Sequence, residues 1–303
     1  PSTGIHGPRR THPPARPRRH GGLISAAPQP LAAPDHYRSP GEPLHPDCGS
    51  MSERNLQHSA TNQTPQMIDG KTCLGVIVGR GGSKGLPGKN VADLAGRPLV
   101  AWSVSAALES VHLDHTILSS DDDAIIAAAN DAGCDVPFRR PSELATDTAP
   151  VADAMIHALD HLDGNFDYVV LLPATSPLRT GADIDACIEA CHTGADCAVT
   201  VCESAKPVEW ACRLGPDGRL TPVIPGDGLL TRRQDIAPTY LPNGAVYVVR
   251  TDWFRQHRAF YSQNLVACVM PAERSIDIDT ELDLMTARLL AERQAAARKR
   301  KIP

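Results

Sequence analysis

Three cationic side chains are concentrated in one glycine-rich stretch of this chain. Arg80, Lys84 and Lys89 alternate with four glycines in residues 80–90, directly after the apolar run 74–79. An apolar run that ends in such a turn is typical of a buried strand followed by a loop. Glycines let backbone N–H groups approach a ligand closely, and successive N–H groups form a concave anion site. The stretch therefore predicts a polyphosphate site, with a solvated basic surface loop as the alternative.

The two common phosphate-binding motifs do not explain this stretch. A P-loop would require Gly at position 83 and Ser or Thr after Lys89, whereas the chain has Ser83 and Asn90. The dinucleotide-binding fingerprint would require its third Gly at the position of Lys84. The chemistry of the residues, and not a match to either motif, supports the prediction.

A second group of candidate residues lies late in the chain, where Asp277 and Asp279 alternate with Ile276 and Ile278. On an extended segment both carboxylates point to one side and both isoleucines to the other. Two carboxylates on one side repel each other unless a cation lies beside them, and Mg²⁺ prefers oxygen ligands together with water and phosphate. The pair predicts a site for Mg²⁺ (or Mn²⁺). Capping of the following helix by Asp279 or Thr280 is the alternative, and it explains one acid but not both.

The elements that must position these residues alternate between strand and helix from residue 73 onward. Strands are predicted at 73–79, 116–119, 135–138, 168–172, 198–202, 245–249 and 265–269. Helices are predicted at 99–108, from Asp121 or Asp122 to 129, at 151–162, at 183–191 and from Thr280 onward. This alternation predicts an α/β fold, with a Rossmann-like, mostly parallel sheet covered by helices on both faces. Ligands of such sheets collect at the carboxyl ends of the strands, so we expect the candidate residues to meet there.

Composition divides the chain into a tail, a main domain and an insertion. Residues 1–50 hold 11 of the 27 prolines and five of the 12 histidines, and such a segment cannot bury enough apolar surface to fold. We expect residues 1–70 to be a disordered Pro/Arg/His-rich extension, with Met51 as a possible translation start. The main domain is expected at 71–298. Prolines and glycines interrupt the alternation at about 203–243 and predict an inserted subdomain of short strands and loops.

Charge and cysteine usage exclude several classes of protein. Residues 1–50 carry six arginines against three acidic residues, whereas the whole chain has a formal net charge of −5. The remainder is therefore acidic, which argues against a nucleic-acid binder. No run approaches the ~18 apolar residues that a membrane helix requires. The nine cysteines include no Cys-x-x-Cys pair, and free thiols are typical of a reducing cytosol. We expect a cytoplasmic protein that binds neither nucleic acid nor membrane.

Five segments of the chain resemble the acylneuraminate cytidylyltransferase family, the CMP-sialic acid synthetases. These segments are 79–90, 140–148, 175–181, 242–247 and 275–284, and the likeness extends over about 72–295 in the family's order and spacing. The resemblance implies a fold of the nucleotide-diphospho-sugar transferase type. It implies a reaction in which the 2-hydroxyl of a nonulosonic acid attacks the α-phosphate of CTP and gives a CMP-sugar and pyrophosphate. It also implies a homodimer, with 203–243 as a dimerisation subdomain that reaches over the partner's site.

The resemblance assigns roles to individual residues. The nucleotide and its phosphates would be held by Arg80, Ser83, Lys84, Lys89, Asn90, Arg140 and Asp147. Catalysis would depend on Arg80, Lys84, Lys89 and Asp279, and the metal would be held by Asp277 and Asp279. The sugar side would comprise Arg233, Asn243 and Tyr247.

The identity of the sugar and the class of function both have alternatives. Pro173-Ala174 stands where sialate-specific relatives usually have Gln-Pro, and Glu209 where bacterial ones often have Lys. Legionaminic acid, pseudaminic acid and KDO are therefore alternatives to N-acetylneuraminate. A sugar-1-phosphate nucleotidyltransferase would usually have a longer glycine-rich loop with Gly-Thr-Arg. A catalytically inactive nucleotide-binding module would have lost Lys89, Asp277 or Asp279, and all three are present.

Overall fold

The structure, a computed structural model, describes residues 68–226, 229 and 231–300. The expected disorder of the N-terminal extension falls almost wholly on residues 1–67, which lie outside the described residues. The strands are β1 (Cys73–Val78), β2 (Asp93–Leu94), β3 (Arg97–Pro98), β4 (His115–Ser119), β5 (Tyr168–Pro173), β6 (Cys197–Glu203), β7 (Cys212–Leu214), β8 (Leu220–Pro222), β9 (Tyr240–Arg250) and β10 (Leu265–Val269). The helices are α1 (Leu99–Glu109), α2 (Asp123–Asp131), α3 (Val151–Asp160), α4 (Gly181–His192), α5 (Thr251–His257) and α6 (Glu281–Arg300).

Within the described part of the chain, six strands form a central sheet in the order β10-β6-β9-β5-β1-β4. β1 pairs in parallel with β4 and β5, and β10 pairs in parallel with β6. β9 lies between β5 and β6 and runs antiparallel to both. The predicted α/β class with a mostly parallel sheet is confirmed, and β9 is the exception in direction.

Alternate residues of the strands pack against helices on opposite faces of the sheet. In β1, Cys73 and Ile77 belong to a core cluster shared with α1, α2 and α4. Leu74 and Val76 belong to a second cluster shared with α3 and α5. Because both faces of the strand are buried, it reads in the sequence as a continuous apolar run and not as an alternation of apolar and polar residues.

Three expectations about elements differ from the structure. The predicted strand at 135–138 is wrong: it is reduced to a single bridge between Ile117 and Asp135, and Pro137 has no N–H to continue a ladder. β9 begins at Tyr240, five residues before the predicted start, and includes Pro242. Helix α5 was not predicted, because its seven residues are too few to show a helical period.

The range of the predicted insertion carries short elements in the described residues. β7 and β8 pair as a small antiparallel hairpin, and a 3₁₀ turn covers Arg233–Asp235. The last residues of the predicted range, from Tyr240 on, belong to β9 of the central sheet. No helix in the residues described is long and apolar enough to cross a membrane.

Candidate active site

The candidate residues meet at one edge of the sheet because of strand direction. β1, β4 and β5 are parallel, so the loops that follow them leave from the same edge. Since β9 runs in the opposite direction, its first half reaches that edge as well. The backbone bond from Ala174 N–H to Val78 O (3.0 Å) and the bond from the Ser176 hydroxyl to Gly244 O (3.1 Å) join these loop regions.

The glycine-rich segment 79–90 folds back on itself. Gly88 has φ +67°, a left-handed conformation that favours glycine, and it begins the 3₁₀ turn Lys89–Val91. The Asn90 amide donates from Nδ2 to Arg80 O across this fold (3.0 Å). Asn90 is buried, and its Oδ1 has no hydrogen-bond partner within the described residues. A buried acceptor without a partner costs free energy, so Oδ1 is available to a donor on a ligand.

The glycine-rich segment contacts the late acidic segment directly. The Lys89 ammonium lies 2.7 Å from Asp279 Oδ1 and donates to Ile278 O at 2.8 Å. A Cβ at position 85 would lie 2.5 Å from Asp279 O, so this close approach of two backbones requires Gly85. Cations and carboxylates that are about 190 residues apart in sequence therefore share one site.

Asp277 and Asp279 point away from the core, as the alternation with isoleucine predicted. Ile278 is fully buried, and its N–H donates to Thr175 O (2.9 Å). Burial, and after it the neighbouring Asp279, raise the pKa of Asp277, while a hydrogen bond with Thr175 acts in the opposite direction. An added cation between the two carboxylates would relieve this repulsion.

The donor set fits a hard divalent cation. In the part of the chain that the structure describes, no group of three or more His, Cys, Asp or Glu side chains could hold a metal ion. Asp277 and Asp279 supply carboxylate oxygens only. Mg²⁺ and Mn²⁺ sites of this kind are completed by water and by phosphate oxygens of a substrate.

A buried arginine adds positive charge at the base of the site. Arg140 is almost fully buried, donates from Nη2 to Gly79 O (2.8 Å) and lies 3.6 Å from Asp121 Oδ1. Burial lowers the pKa of Arg140, and the nearby Asp121 carboxylate works against that shift. Asp121 also accepts from Gly81 N–H (3.2 Å), so this acid links the arginine to the glycine-rich segment.

Asp147 pairs with two of the loop cations. Its carboxylate lies 2.7 Å from the Arg80 guanidinium and 2.5 Å from the Lys84 ammonium. The hydrogen bond from Lys84, followed by that from Arg80, lowers the pKa of Asp147 below the ordinary 3.8. Asp147 therefore stays ionised near neutral pH, and its ion pairs with Arg80 and Lys84 would compete with phosphate groups for these two cations.

The Asp147→Asn variant should bind metal-free CTP more tightly than the wild type, by about two- to fivefold, because exposed ion pairs are worth only a small free energy each. Since the lowered pKa keeps Asp147 charged, we expect the same ratio at pH values from about 7 to 9. Isothermal titration calorimetry in EDTA measures it. Weaker binding in the variant would show that Asp147 contacts the nucleotide itself.

Most of the predicted site residues line one cavity of about 770 Å³. These are Arg80, Ser83, Lys84, Lys89, Asn90, Arg140, Asp147, Tyr247 and Asp279. Asp277 lies beside the cavity, next to its lining residue Thr175. The structure does not bring Arg233 or Asn243 to this lining.

The two remaining residues occupy different surroundings. Arg233 is exposed on the 3₁₀ turn of the insertion. Asn243 is buried, and its amide is used internally: Oδ1 accepts from the Thr200 hydroxyl (2.7 Å), and Nδ2 donates to Ser275 Oγ (2.9 Å). Asn243 therefore joins β9 to the segment that carries the two aspartates.

Sequence reasoning missed an aromatic wall of the cavity. Phe260 and Tyr261 line it together with Tyr247, with ring centroids 5.6 Å and 6.2 Å from that of Tyr247. Burial, with a contribution from Tyr261, raises the pKa of Tyr247, so its hydroxyl stays neutral and can hydrogen-bond. Both missed residues follow the short helix α5, and no periodic sequence pattern identifies them there. Two adjacent aromatic residues in a loop were the only sequence feature that could have indicated a ligand contact.

A cavity that combines cations with carboxylates suits a ligand that carries phosphates and a divalent ion together. Ligands of open α/β sheets bind at the carboxyl ends of the strands, where this cavity lies, and nucleotidyltransferases are one class of protein that such a site fits. Comparison with known families supports this class at the level of sequence, since the cytidylyltransferase family model matches residues 74–283. The chain belongs to the cytidylyltransferase family.

Individual relatives align in sequence with more than two thirds of this chain. A CMP-N,N'-diacetyllegionaminic acid synthase from Legionella pneumophila is 33% identical over 229 residues, which are 74% of this chain and 98% of that protein. An N-acylneuraminate cytidylyltransferase from Streptococcus agalactiae is 32% identical over 213 residues, 69% of this chain and 51% of that protein. This chain thus spans about half of the streptococcal relative. A solved structure of CMP:2-keto-3-deoxy-manno-octonic acid synthetase, complexed with CTP, superposes with a TM-score of 0.58. The match covers 74% of this chain and 100% of that one at 16% sequence identity. This likeness shows that the two proteins share a fold.

Proposed function

We propose that this protein couples CTP to a nonulosonic acid, N-acetylneuraminate or a close relative. The 2-hydroxyl oxygen of the sugar forms a bond to the α-phosphorus, and the bond from that phosphorus to the leaving pyrophosphate oxygen breaks. The hydroxyl proton passes to water, and CMP-sugar and pyrophosphate are the products. The contact between Lys89 and Asp279 carries the proposal, since it joins the glycine-rich cationic segment to the segment with the two aspartates.

The cations of the cavity position the triphosphate and offset its charge. Arg80, Lys84 and Lys89 stand on the glycine-rich segment, and Arg140 stands at the base of the cavity. Nucleotidyl transfer depends chiefly on positioning and on stabilisation of charge, so it needs no covalent intermediate on the protein. Asn90 Oδ1 offers a buried acceptor to a donor group of the nucleotide.

Asp277 and Asp279 would hold Mg²⁺, or Mn²⁺, at the cavity. Such an ion, when bound, stabilises charge on the phosphoryl oxygens and favours loss of the hydroxyl proton. Burial, and after it the neighbouring Asp279 carboxylate, raise the pKa of Asp277, while Lys89 offsets part of the charge of Asp279. A cation beside the two carboxylates would offset the repulsion that remains, which supports a role for the pair in holding one.

The sugar would lie against Tyr247, Phe260 and Tyr261, the aromatic wall of the cavity. Aromatic faces suit acyl methyl groups and deoxygenated carbons better than hydroxyl groups. Pro173, another lining residue, stands where sialate-specific relatives usually present an amide. This apolar lining favours a second candidate substrate, N,N'-diacetyllegionaminate, which has a second acylamino group and fewer hydroxyl groups than N-acetylneuraminate.

A homodimer would complete the sugar side. Leu214 and Leu220 on the hairpin of the insertion are strongly exposed, and exposed apolar patches mark interaction surfaces. Arg233, on the same insertion, lies outside the cavity of its own chain, and in the proposed dimer it would serve the cavity of the second copy. Its planar guanidinium suits the sugar carboxylate. Light scattering after gel filtration tests the dimer, and a monomeric mass at assay concentration would contradict it.

The reaction is assigned to the cytoplasm, where CTP is made. The cysteines at positions 73 to 268 are free thiols in the described chain, which suits a reducing compartment.

A substrate panel tests the proposed function. The purified protein, CTP and Mg²⁺ are incubated with N-acetylneuraminate, N,N'-diacetyllegionaminate, pseudaminate or KDO, and pyrophosphate release is followed. We expect turnover with the first or the second sugar, with a kcat/KM at least about tenfold above that for KDO, since loss of pocket contacts is worth about that factor. Turnover with a sugar 1-phosphate but with no member of this panel would contradict the proposal.

A further inference from the structure

The extended residues 275–279, which carry Asp277 and Asp279, lie outside the strands of the sheet. Their placement therefore depends on contacts with neighbouring elements. At the far end of the segment, Ile278 is buried and its N–H donates to Thr175 O. At the near end, Ser275 accepts from the Asn243 amide and donates to Pro271 O (2.9 Å). These contacts use single hydrogen bonds or apolar packing, and Lys89 adds an ion pair with Asp279 and a bond to Ile278 O.

The residue before this segment makes a two-bond ionic contact with a core helix. Arg274 donates from Nε to Asp183 Oδ2 (2.9 Å) and from Nη2 to Asp183 Oδ1 (2.7 Å). Such a bidentate pair fixes orientation as well as distance. Asp183 is only 8% exposed, so the pair is screened little by water or salt.

The acceptor of this pair is itself fixed. Asp183 Oδ2 also accepts from the Thr180 N–H (2.9 Å) and the Thr180 hydroxyl (2.8 Å), in the capping box that begins α4. Burial opposes ionisation of Asp183, but the bonds from Arg274 and Thr180 outweigh it and lower its pKa. Arg274 is therefore tied to the first turn of a core helix.

A second arginine lies near the same carboxylate. Arg179 is almost fully buried, and its Nη1 donates to the carbonyls of Pro173, Ser176 and Ala245. Burial lowers the pKa of Arg179 to about 9, and the nearby Asp183 and Asp277 carboxylates act in the opposite direction. Asp183 is thus bonded to the Arg274 guanidinium and is near enough to Arg179 to interact with its charge, as Asp277 is.

We propose that Arg274 and Asp183 form a positioning pair that sets the place of Asp277 and Asp279 at the cavity. Neither residue lines the cavity, so the pair acts through the two aspartates and not on the nucleotide. The inference rests on the proposed function, because it assigns the pair to metal binding in that reaction. Groups that orient metal ligands typically contribute about ten- to a hundredfold to metal affinity.

The Arg274→Met variant tests the pair, since Met keeps most of the apolar stem. Mn²⁺ binding to the protein–CTP complex is followed by electron paramagnetic resonance, and CTP binding in EDTA by calorimetry. We expect Mn²⁺ affinity to fall about tenfold or more, with unchanged metal-free CTP affinity. Arg274→Lys keeps the charge but loses the bidentate geometry. Its Mn²⁺ affinity should lie between that of Arg274→Met and that of the wild type.

Stability is separated from positioning by two further variants. Arg250 is the control: it is 41% exposed against 33% for Arg274, and it pairs with Asp252 at the end of β9. Arg250→Met should leave Mn²⁺ affinity unchanged. The double variant Asp183→Asn, Arg274→Met leaves no unpaired charge in the pair. We expect it to regain thermal stability relative to Arg274→Met without regaining Mn²⁺ affinity.

Recovery of Mn²⁺ affinity along with stability in the double variant, or normal Mn²⁺ affinity in Arg274→Met, would overturn the positioning role. A wild-type protein that binds CTP but takes up no Mn²⁺ would instead overturn the metal site in the proposed function, and the positioning role with it.

Discussion

Replacing Asp279 with alanine should lower kcat at least about a hundredfold and leave CTP binding measurable. The Asp279 side chain is 71% exposed, and its partner Lys89 keeps a second acceptor in Ile278 O, so the fold loses little. The variant loses one of the two carboxylates that would hold the divalent ion. A hundredfold corresponds to about 2.7 kcal/mol of transition-state stabilisation, which is within what a metal ion supplies. Turnover at saturating CTP and Mg²⁺, with CTP affinity from calorimetry, measures both effects.

Glu281→Ala is the matched control for this variant. Glu281 lies two residues further along and is 62% exposed, with an arginine as its neighbour at 3.8 Å. Removing its carboxylate changes the local charge by the same amount without touching the cavity, so kcat should stay at the wild-type value. Unchanged turnover in Asp279→Ala would refute the assignment of this residue to the metal.

The architecture was predictable from the sequence because most strands are buried on both faces. β1 and β5 stand out as apolar runs that end in glycine or proline, and the predicted bounds of β10 agree with the structure. The direction of β9 was not predictable, since an apolar strand carries no mark of whether its neighbours are parallel. β9 also contains Pro242 and Gly244, which read in the sequence as part of the insertion.

The meeting of the glycine-rich and acidic segments followed from one rule, that loops after parallel strands share an edge. That rule places loops but not side chains. Asn243 illustrates the limit: the family resemblance assigned it to the sugar side, yet its amide bonds to Thr200 and Ser275 inside the protein. Phe260 illustrates the converse, because an apolar residue after a short helix reads as core until the structure shows it lining the cavity.

Lys89→Ala should reduce both CTP affinity and kcat, and the product of the two losses should make it the most damaging single substitution in the cavity. The Lys89 side chain is only 12% exposed, so its charge is little screened. A charge-assisted bond to phosphate is worth about 1.5–3 kcal/mol, or roughly ten- to a hundredfold in CTP affinity. The charge that develops on the leaving pyrophosphate strengthens the same contact in the transition state, so we expect a further loss of about a hundredfold in kcat.

Lys71→Ala provides the control, because Lys71 also pairs with an aspartate at 2.8 Å but stands just before β1, at the opposite end of that strand. Its removal should change neither CTP affinity nor kcat.

In Lys89→Ala, Asp279 loses its cationic partner. The two aspartates then repel each other more strongly, and a bound divalent ion would stabilise them more. We therefore expect high Mg²⁺ to restore part of the lost kcat. A loss confined to CTP affinity, with wild-type kcat at saturation, would show that Lys89 binds the ground state and transition state equally, and would remove it from the catalytic residues.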